Sequence, residues 1–163
     1  MVVPSQAAVL AQRLGGWLAD RGWTLGGAES CTGGLVSHYL TEVGGSSAYF
    51  VGAVVAYANH VKQALLSVPE ATLAAHGAVS AEVALAMALG ARQALGVGVA
   101  YAVTGIAGPT GGTPGKPVGT VFIAVSSPLG DAVERHVWAS DRRGNKQRSA
   151  VAVLELLARQ VGA

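Results

Sequence analysis

The chain has little charge, few aromatic residues and a single cysteine. Only 12% of its residues are charged, the formal net charge is +2, and 6% are aromatic. A chain so close to neutral, without a basic stripe, is a poor candidate for binding nucleic acid. The lone Cys31 excludes an internal disulfide and a zinc site built from cysteines. The simplest compartment for such a chain is the reducing cytoplasm.

The sequence also shows no signal typical of a targeting or membrane-spanning segment. The N-terminus lacks the basic segment followed by an apolar run that marks a signal peptide. The longest uncharged stretch, 93–115, contains seven glycines and two prolines. Such a composition indicates a buried strand followed by a loop, not a helix facing lipid. We therefore expect no membrane partner.

The chain is rich in small and aliphatic residues, and 51% of it is hydrophobic, with 23 glycines. Segments of helical periodicity alternate with short apolar runs, and a Pro-Leu-Gly-Asp turn joins the last two runs. This order predicts an α/β fold, a single three-layer α/β/α domain over residues 1–163 with a mixed, mostly parallel sheet. We predict strands at 23–28, 51–58, 97–103, 118–126 and 132–138, and main helices at 5–21, 33–43, 80–95 and 145–160.

A small polar loop, Glu29–Gly34, follows the first predicted strand and leads into a helix. Ligands gather at the carboxyl ends of such strands, where helix N-termini offer free N–H groups to anions. Ser30 and Cys31 are candidate nucleophiles in this loop, and a thiol at a helix start would have a lowered pKa. Thr32 as an N-cap, with glycines for tight packing, explains the loop at least as well without any ligand.

A second glycine-rich loop, Thr104–Gly112, follows another apolar strand. Loops of this length inside compact domains are often functional. It matches neither the Walker A pattern nor the dinucleotide fingerprint. Paired carboxylates, a histidine cluster and the H-E-x-x-H pattern are all missing from the chain. We therefore expect neither a metal nor a cofactor.

Two features of the basic residues are unusual. Lys62, one of only three lysines, directly follows an apolar strand. A desolvated lysine there can act as the general base for a serine, although a surface lysine on a short helix explains the same spacing. The run 141–148 places cations before and within the first turn of the last predicted helix, where they oppose the helix dipole. An anionic ligand nearby would offset that cost, and a solvated charge cluster is the simpler interpretation.

Five motifs occur in one order along the chain, at Ala28–Gly34, Gly45–Ser47, His76–Ser80, Thr104–Pro109 and Lys116–Val121. Together they resemble the C-terminal domain of the competence/damage-inducible protein CinA, over about residues 10–157. The resemblance implies a metal-independent amidohydrolase that converts nicotinamide mononucleotide to nicotinic acid mononucleotide and ammonia. Many relatives carry this domain behind another one, whereas this chain begins at the domain itself, so we expect it to work alone. Small apolar-rich domains often pair, and we expect a homodimer.

The resemblance also implies which residues do the chemistry. It makes Ser47 the nucleophile, Lys62 the base that takes its proton, and Tyr57 an assisting residue. Spacing alone favours Ser30 or Cys31 as the nucleophile, so this assignment comes from the resemblance only. A non-catalytic nucleotide-binding module, linked to competence or DNA damage, remains an alternative function.

The same resemblance implies a substrate pocket. Thr104 matches a threonine that lines it, and Arg142 matches an arginine that contacts the substrate. Five further residues of the two glycine-rich loops become substrate or phosphate contacts: Ser30, Thr32, Gly33, Gly105 and Gly108. An enzyme acting on the phosphate itself would need a metal, and the acidic residues are too dispersed to form an obvious metal site.

Overall fold

A computed structural model describes residues 5–163. The described residues form six α-helices and five strands. In chain order these are α1 (Gln6–Arg21), β1 (Leu25–Glu29), α2 (Leu35–Thr41), β2 (Phe50–Val55), α3 (Asn59–Leu66), α4 (Glu70–His76), α5 (Ala81–Leu95), β3 (Val99–Gly105), β4 (Thr120–Ser127), β5 (Gly130–Val137) and α6 (Arg142–Val161). The predicted α/β architecture is confirmed.

The strands form one mixed sheet in the order β2-β1-β3-β4-β5. β1 pairs in parallel with both β2 and β3, while β4 pairs in antiparallel with both β3 and β5. Four of the five described strands therefore point in one direction, and β4 runs against them. The carboxyl ends of β1, β2 and β3 meet at one edge of the sheet, where ligands bind in open α/β folds.

The two faces of the sheet carry side chains of different size. Along β3, Val99, Tyr101 and Val103 pack in the cluster formed with α1, α2 and α6. Ala100 and Ala102 alternate with them and pack against α5. Small side chains let α5 lie close to the sheet, giving the three-layer arrangement with helices on both faces.

Gly90 lets α3 pack tightly against α5. A Cβ atom at Gly90 would lie 1.9 Å from the backbone oxygen of Leu66, the last residue of α3. Only glycine therefore fits at this crossing. The contact fixes α3, and with it Lys62, against the layer that covers the sheet.

Three helices begin with side-chain caps. Ser5 and Ser80 accept hydrogen bonds from the backbone N–H groups of Ala8 and Val83, as N-cap residues do. The helix predicted to start near residue 145 starts instead at Arg142, because Asp141 caps it. The cations of the run 141–148 therefore lie on the first two turns of α6. Within residues 5–163, no helix has the length and hydropathy to span a membrane.

Candidate active site

Lys62 is the residue around which the candidate site is built. Its side chain is fully buried, with 1% of the residue exposed. The ammonium nitrogen Nζ donates to the backbone oxygen of Ala56 at 2.8 Å, to that of Tyr57 at 3.1 Å and to Ser30 Oγ at 3.1 Å. All three acceptors lie where β1 and β2 end. The structure therefore joins a lysine and a serine at the edge expected to bind ligands.

Burial lowers the pKa of Lys62, because removing the ammonium from water disfavours its charged form. An adjacent carboxylate would oppose this effect. Among residues 5–163, no Asp or Glu forms an ion pair with Lys62. Its three hydrogen-bond acceptors are all uncharged oxygens. A lysine in this environment is suited to giving and taking a proton.

Ser30 is held in place by backbone hydrogen bonds on both sides. Its N–H donates to the oxygen of Val103 at 2.9 Å, tying the end of β1 to β3. Its own oxygen accepts from the N–H of Gly33 at 3.1 Å, closing a turn. Ser30 is 8% exposed. The hydroxyl is thus fixed beside Lys62 while keeping limited access from solvent.

The carboxylate of Glu29, next to Ser30 in the chain, is fully buried and accepts six hydrogen bonds. One oxygen accepts from the Thr32 hydroxyl at 2.6 Å and from the N–H groups of Gly34 and Val36. The other accepts from the N–H and hydroxyl of Ser37 and from the Tyr101 hydroxyl at 3.1 Å. The carboxylate therefore organises the loop that carries Ser30 and the start of α2.

A pocket of about 200 Å³ surrounds the Ser30–Lys62 contact. It brings together six of the predicted site residues: Ser30, Tyr57, Lys62, Thr104, Gly105 and Arg142. At its mouth, the Arg142 guanidinium donates to the backbone oxygen of Gly108 at 2.7 Å and to the Tyr57 hydroxyl at 3.2 Å. These bonds connect both sides of the opening. Arg142 lines this pocket, whereas the adjacent Arg143 does not.

Thr104, Thr32 and Gly33 differ in how they relate to the pocket. Thr104 lines it, although its hydroxyl donates to the Ala78 backbone oxygen at 2.8 Å. Thr32 is buried and its hydroxyl donates to Glu29, so it supports the loop and is not part of the pocket lining. Gly33 is exposed, with a left-handed φ of 63°, and a Cβ there would lie 3.7 Å from Lys146 Nζ.

The structure does not bring Ser47 and Lys62 together as predicted. Ser47 is exposed in a 3-10 turn, Ser46–Ala48, that precedes the first residue of β2. Lys62 Nζ binds the backbone just after the last residue of β2. A six-residue strand spans roughly 17 Å, so the two side chains lie at opposite ends of β2. Ser30, the candidate favoured by spacing, is the serine that contacts the lysine.

The expected low pKa of Cys31 is also wrong. Cys31 lines the pocket, but burial raises the pKa of its thiol to about 12, and the Glu29 carboxylate adds to the rise. The N–H groups at the start of α2 hydrogen-bond to Glu29. They are therefore not available to stabilise a thiolate, as a helix N-terminus otherwise does.

Sequence reasoning missed three groups in this site. Glu29 carried a weak signal, as an acidic residue directly after the apolar run 25–28. The backbone oxygens of Ala56 and Tyr57 carried none, because every residue has a carbonyl group. Only the path of the chain after β2 turns these two oxygens toward Lys62. Within the described residues, no group of three or more His, Cys, Asp or Glu side chains converges as a metal site.

Comparison with known proteins places this geometry in a family. A family model described as the CinA C-terminal domain matches residues 7–161. The chain is 52% identical over 142 residues to a CinA-like protein of Salinibacter ruber, covering 87% of this chain and 34% of that protein. It is 51% identical to a CinA-like protein of Geobacter sulfurreducens, with the same coverage of both chains. The chain thus spans about a third of the length of these curated relatives.

Solved structures of similar proteins extend over nearly the whole chain. The competence/damage inducible protein CihA from Agrobacterium tumefaciens is 38% identical, with a TM-score of 0.91 over 98% of both chains. The competence damage-inducible protein A from Klebsiella pneumoniae is 32% identical, with a TM-score of 0.93 over 97% of this chain and 98% of that one. The likeness therefore covers both the fold and the sequence.

Proposed function

Because the chain belongs to the CinA C-terminal domain family, we propose that it is a nicotinamide-nucleotide amidase. In this proposal it hydrolyses nicotinamide mononucleotide to nicotinic acid mononucleotide and ammonia. The observation that carries the catalytic part is the hydrogen bond between the buried Lys62 Nζ and Ser30 Oγ. The carboxamide and the pyridine ring come from the family resemblance, and the serine–lysine contact supplies chemistry suited to them.

Ser30 takes the role of nucleophile, and Lys62 in its neutral form takes the role of base. A neutral amine has two N–H groups and one lone pair. The backbone oxygens of Ala56 and Tyr57 accept the two N–H groups, which turns the lone pair toward the Ser30 hydroxyl. Lys62 then accepts the serine proton without having to reorient. The protonated form is also satisfied, because its third N–H returns to Ser30.

The reaction follows the acyl-enzyme route. Ser30 Oγ adds to the carboxamide carbon while its proton passes to Lys62. The tetrahedral intermediate collapses as Lys62 returns the proton to the departing nitrogen, and ammonia leaves. Water then attacks the ester carbon of the acyl-enzyme, again giving a proton to Lys62. That proton returns to Ser30 Oγ as the ester bond breaks and the carboxylate product is released.

Tyr57 and Arg142 position the substrate at the mouth of the pocket. Their mutual hydrogen bond and the bond from Arg142 to Gly108 link the end of β2, the start of α6 and the second glycine-rich loop. Thr104 and Gly105 of β3 form another wall of the pocket that Lys62 lines. In this proposal the pyridine ring lies against that wall, with its carboxamide carbon beside Ser30.

Ammonia release from nicotinamide mononucleotide, measured in the presence of a chelator, tests the proposal. The wild-type protein is expected to release ammonia, while Ser30→Ala loses about 10³-fold or more of kcat. Ser47→Ala is the matched control, because it removes an identical hydroxyl from the far end of β2. We expect it to keep near wild-type activity.

Other outcomes would change the assignment. Loss of activity in a folded Ser47→Ala protein, with Ser30→Ala active, would restore Ser47 as the nucleophile. Abolition of the wild-type reaction by the chelator, with recovery on adding a metal, would contradict a metal-independent reaction. Binding of the nucleotide by the wild type without ammonia release would favour the non-catalytic alternative.

A further inference from the structure

A larger cavity of about 610 Å³ lies beside the catalytic pocket. It is lined by six residues from the starts of α2 and α6: Leu35, Asp141, Arg142, Arg143, Lys146 and Gln147. Arg142 lines the catalytic pocket as well, so the two spaces adjoin at this residue. A ligand long enough to occupy both spaces would have to pass beside Arg142.

The charges around the cavity are unbalanced toward the positive side. Three of its six lining residues are cationic, and one is acidic. The Asp141 carboxylate accepts the N–H of Gly144 at 2.7 Å as the cap of α6. Arg142 is engaged with Gly108 and Tyr57. Within residues 5–163, Arg143 and Lys146 form no ion pair or side-chain hydrogen bond. Two cations are thus left to face the cavity.

This placement of cations is unfavourable for the helix alone. Arg142 and Arg143 occupy the first turn of α6 and Lys146 the second, with no acidic residue in the first turn. Cations at a helix N-terminus oppose its dipole. An anion in the cavity would convert that repulsion into attraction. The arrangement therefore fits an anionic ligand better than it fits an empty helix end.

Lys146 also faces the loop that carries the nucleophile. Its Nζ lies 3.7 Å from where a Cβ at Gly33 would stand, which is an ordinary van der Waals distance and places the Lys146 ammonium against this loop. The Lys146 charge extends as far as the Cys31 thiol, where it counteracts part of the rise in pKa. An anion bound by Lys146 would thus lie beside the loop Glu29–Gly34, which carries Ser30.

The volumes of the catalytic pocket and of the adjoining cavity also favour a ligand that occupies both. Small-molecule sites usually measure about 300–1,000 Å³. The catalytic pocket, at about 200 Å³, is below that range, while the adjoining cavity, at about 610 Å³, is within it. The catalytic pocket therefore has room for the reacting end of a substrate but not for a whole mononucleotide.

We infer that the cavity binds the phosphate monoester of the substrate, with Arg143 and Lys146 as the cations that contact it. This inference rests on the proposed amidase function, which supplies a substrate with a carboxamide at one end and a phosphate at the other. The cavity then explains how the enzyme selects a nucleotide over the corresponding nucleoside. Neither cation takes part in the bond-making steps at Ser30.

Steady-state kinetics of Arg143→Gln and Lys146→Gln provide the first test. For nicotinamide mononucleotide, each substitution is expected to raise KM about tenfold, since each removes a charged contact to phosphate. kcat should change by less than about twofold, because the reacting groups are untouched. For nicotinamide riboside, which lacks the phosphate, kcat/KM should be unchanged. Arg148→Gln is the control, since it removes an equal charge from α6 outside this cavity lining.

A binding experiment separates this inference from the proposed reaction. Nicotinic acid mononucleotide, its riboside and inorganic phosphate are titrated calorimetrically into the wild type and into the folded Arg143→Gln/Lys146→Gln double variant. The wild type should bind the mononucleotide more tightly than the riboside, and the double variant should lose that difference. This result would support the cavity as a phosphate site even if the wild type released no ammonia.

Two results with the double variant would overturn the inference. One is a double variant that retains the wild-type preference for the mononucleotide. The other is an equal loss of mononucleotide and riboside binding, which would assign the cations to the rest of the ligand. Titration with inorganic phosphate shows whether the ligand of the cavity is free phosphate or the phosphate ester of a substrate. If it binds the wild type as tightly as the mononucleotide does, the cavity is a site for free phosphate and not for a substrate ester.

Discussion

Glu29 and Lys62 are two buried ionisable residues at the same edge of the sheet, and they are held in opposite ways. The Glu29 carboxylate accepts six hydrogen bonds, three of them from backbone N–H groups at the start of α2. Lys62 donates three hydrogen bonds, all to uncharged oxygens. Buried charges without compensation are unfavourable, so this difference in partners has consequences for function.

The comparison separates a structural charge from a reactive one. Glu29 has no capacity left for a ligand, because its oxygens are occupied by the loop and helix that they organise. Lys62 has a lowered pKa because burial disfavours its charged form, and its contact with Ser30 gives that property a use. Since Glu29 is saturated by α2, it does not hold Lys62 in the charged state.

Removing the reactive charge should have the largest effect. Lys62→Met keeps the length and burial of the side chain but removes the base, so kcat should fall about 10³-fold or more. Lys116→Met is the matched control, because Lys116 also donates to a backbone oxygen, that of His76, but outside the catalytic pocket. Ammonia release and circular dichroism of both variants provide the measurements. A folded Lys62→Met protein with near wild-type kcat would contradict the role of Lys62.

The lowered pKa of Lys62 also fixes how the wild-type rate should depend on pH. Attack requires the neutral amine, and its fraction rises with pH through the pKa of Lys62 in the folded protein. Because burial lowers that pKa below 10.5, the rise should occur at lower pH than for an ordinary lysine. A kcat/KM that falls as pH rises through this range would show that the protonated form is required instead.

Removing the structural charge should have the next largest effect, and it should act on stability. In Glu29→Gln, an NH2 group would face N–H and hydroxyl donors that now point at a carboxylate oxygen. Buried donors without acceptors are costly, so the free energy of unfolding should fall by about 3 kcal/mol. Glu42→Gln, an exposed change at the end of α2, is the control. Denaturant unfolding compares the two, and equal stabilities would show that the six hydrogen bonds contribute little.

The fold could be predicted well from the sequence because it depends on local patterns. Apolar runs and helical periodicity place all five strands and the main helices, and Ser5 and Ser80 mark two helix starts as expected. The start of α6 was misplaced by three residues. Two arginines directly after Asp141 give an unfavourable charge pattern for a helix start. Only the capping hydrogen bond from the Gly144 N–H to Asp141 shows that α6 begins there.

The site could be predicted only in part, because it depends on which ends of the strands meet. Ser30, Lys62, Thr104 and Arg142 were all identified, and the structure brings them into one pocket. The pairing with Ser47 came from the family resemblance alone and was not compared with the predicted strand 51–58, which lies between Ser47 and Lys62. Strand direction was enough to exclude it, since Ser47 precedes β2 and Lys62 follows it.

Cys31 provides the smallest expected effect and the sharpest check on how the loop is organised. Its thiol lines the pocket beside Ser30, yet burial raises its pKa to about 12. At pH 8 it should therefore stay protonated, and iodoacetamide should modify it far more slowly in the folded protein than in guanidinium chloride. Cys31→Ala should change kcat by less than about twofold, because the small cavity it leaves lies outside the Ser30–Lys62 contact. Rapid modification at pH 8 with parallel loss of ammonia release, or a folded but inactive Cys31→Ala protein, would instead make the thiol the nucleophile and leave Lys62 to activate it.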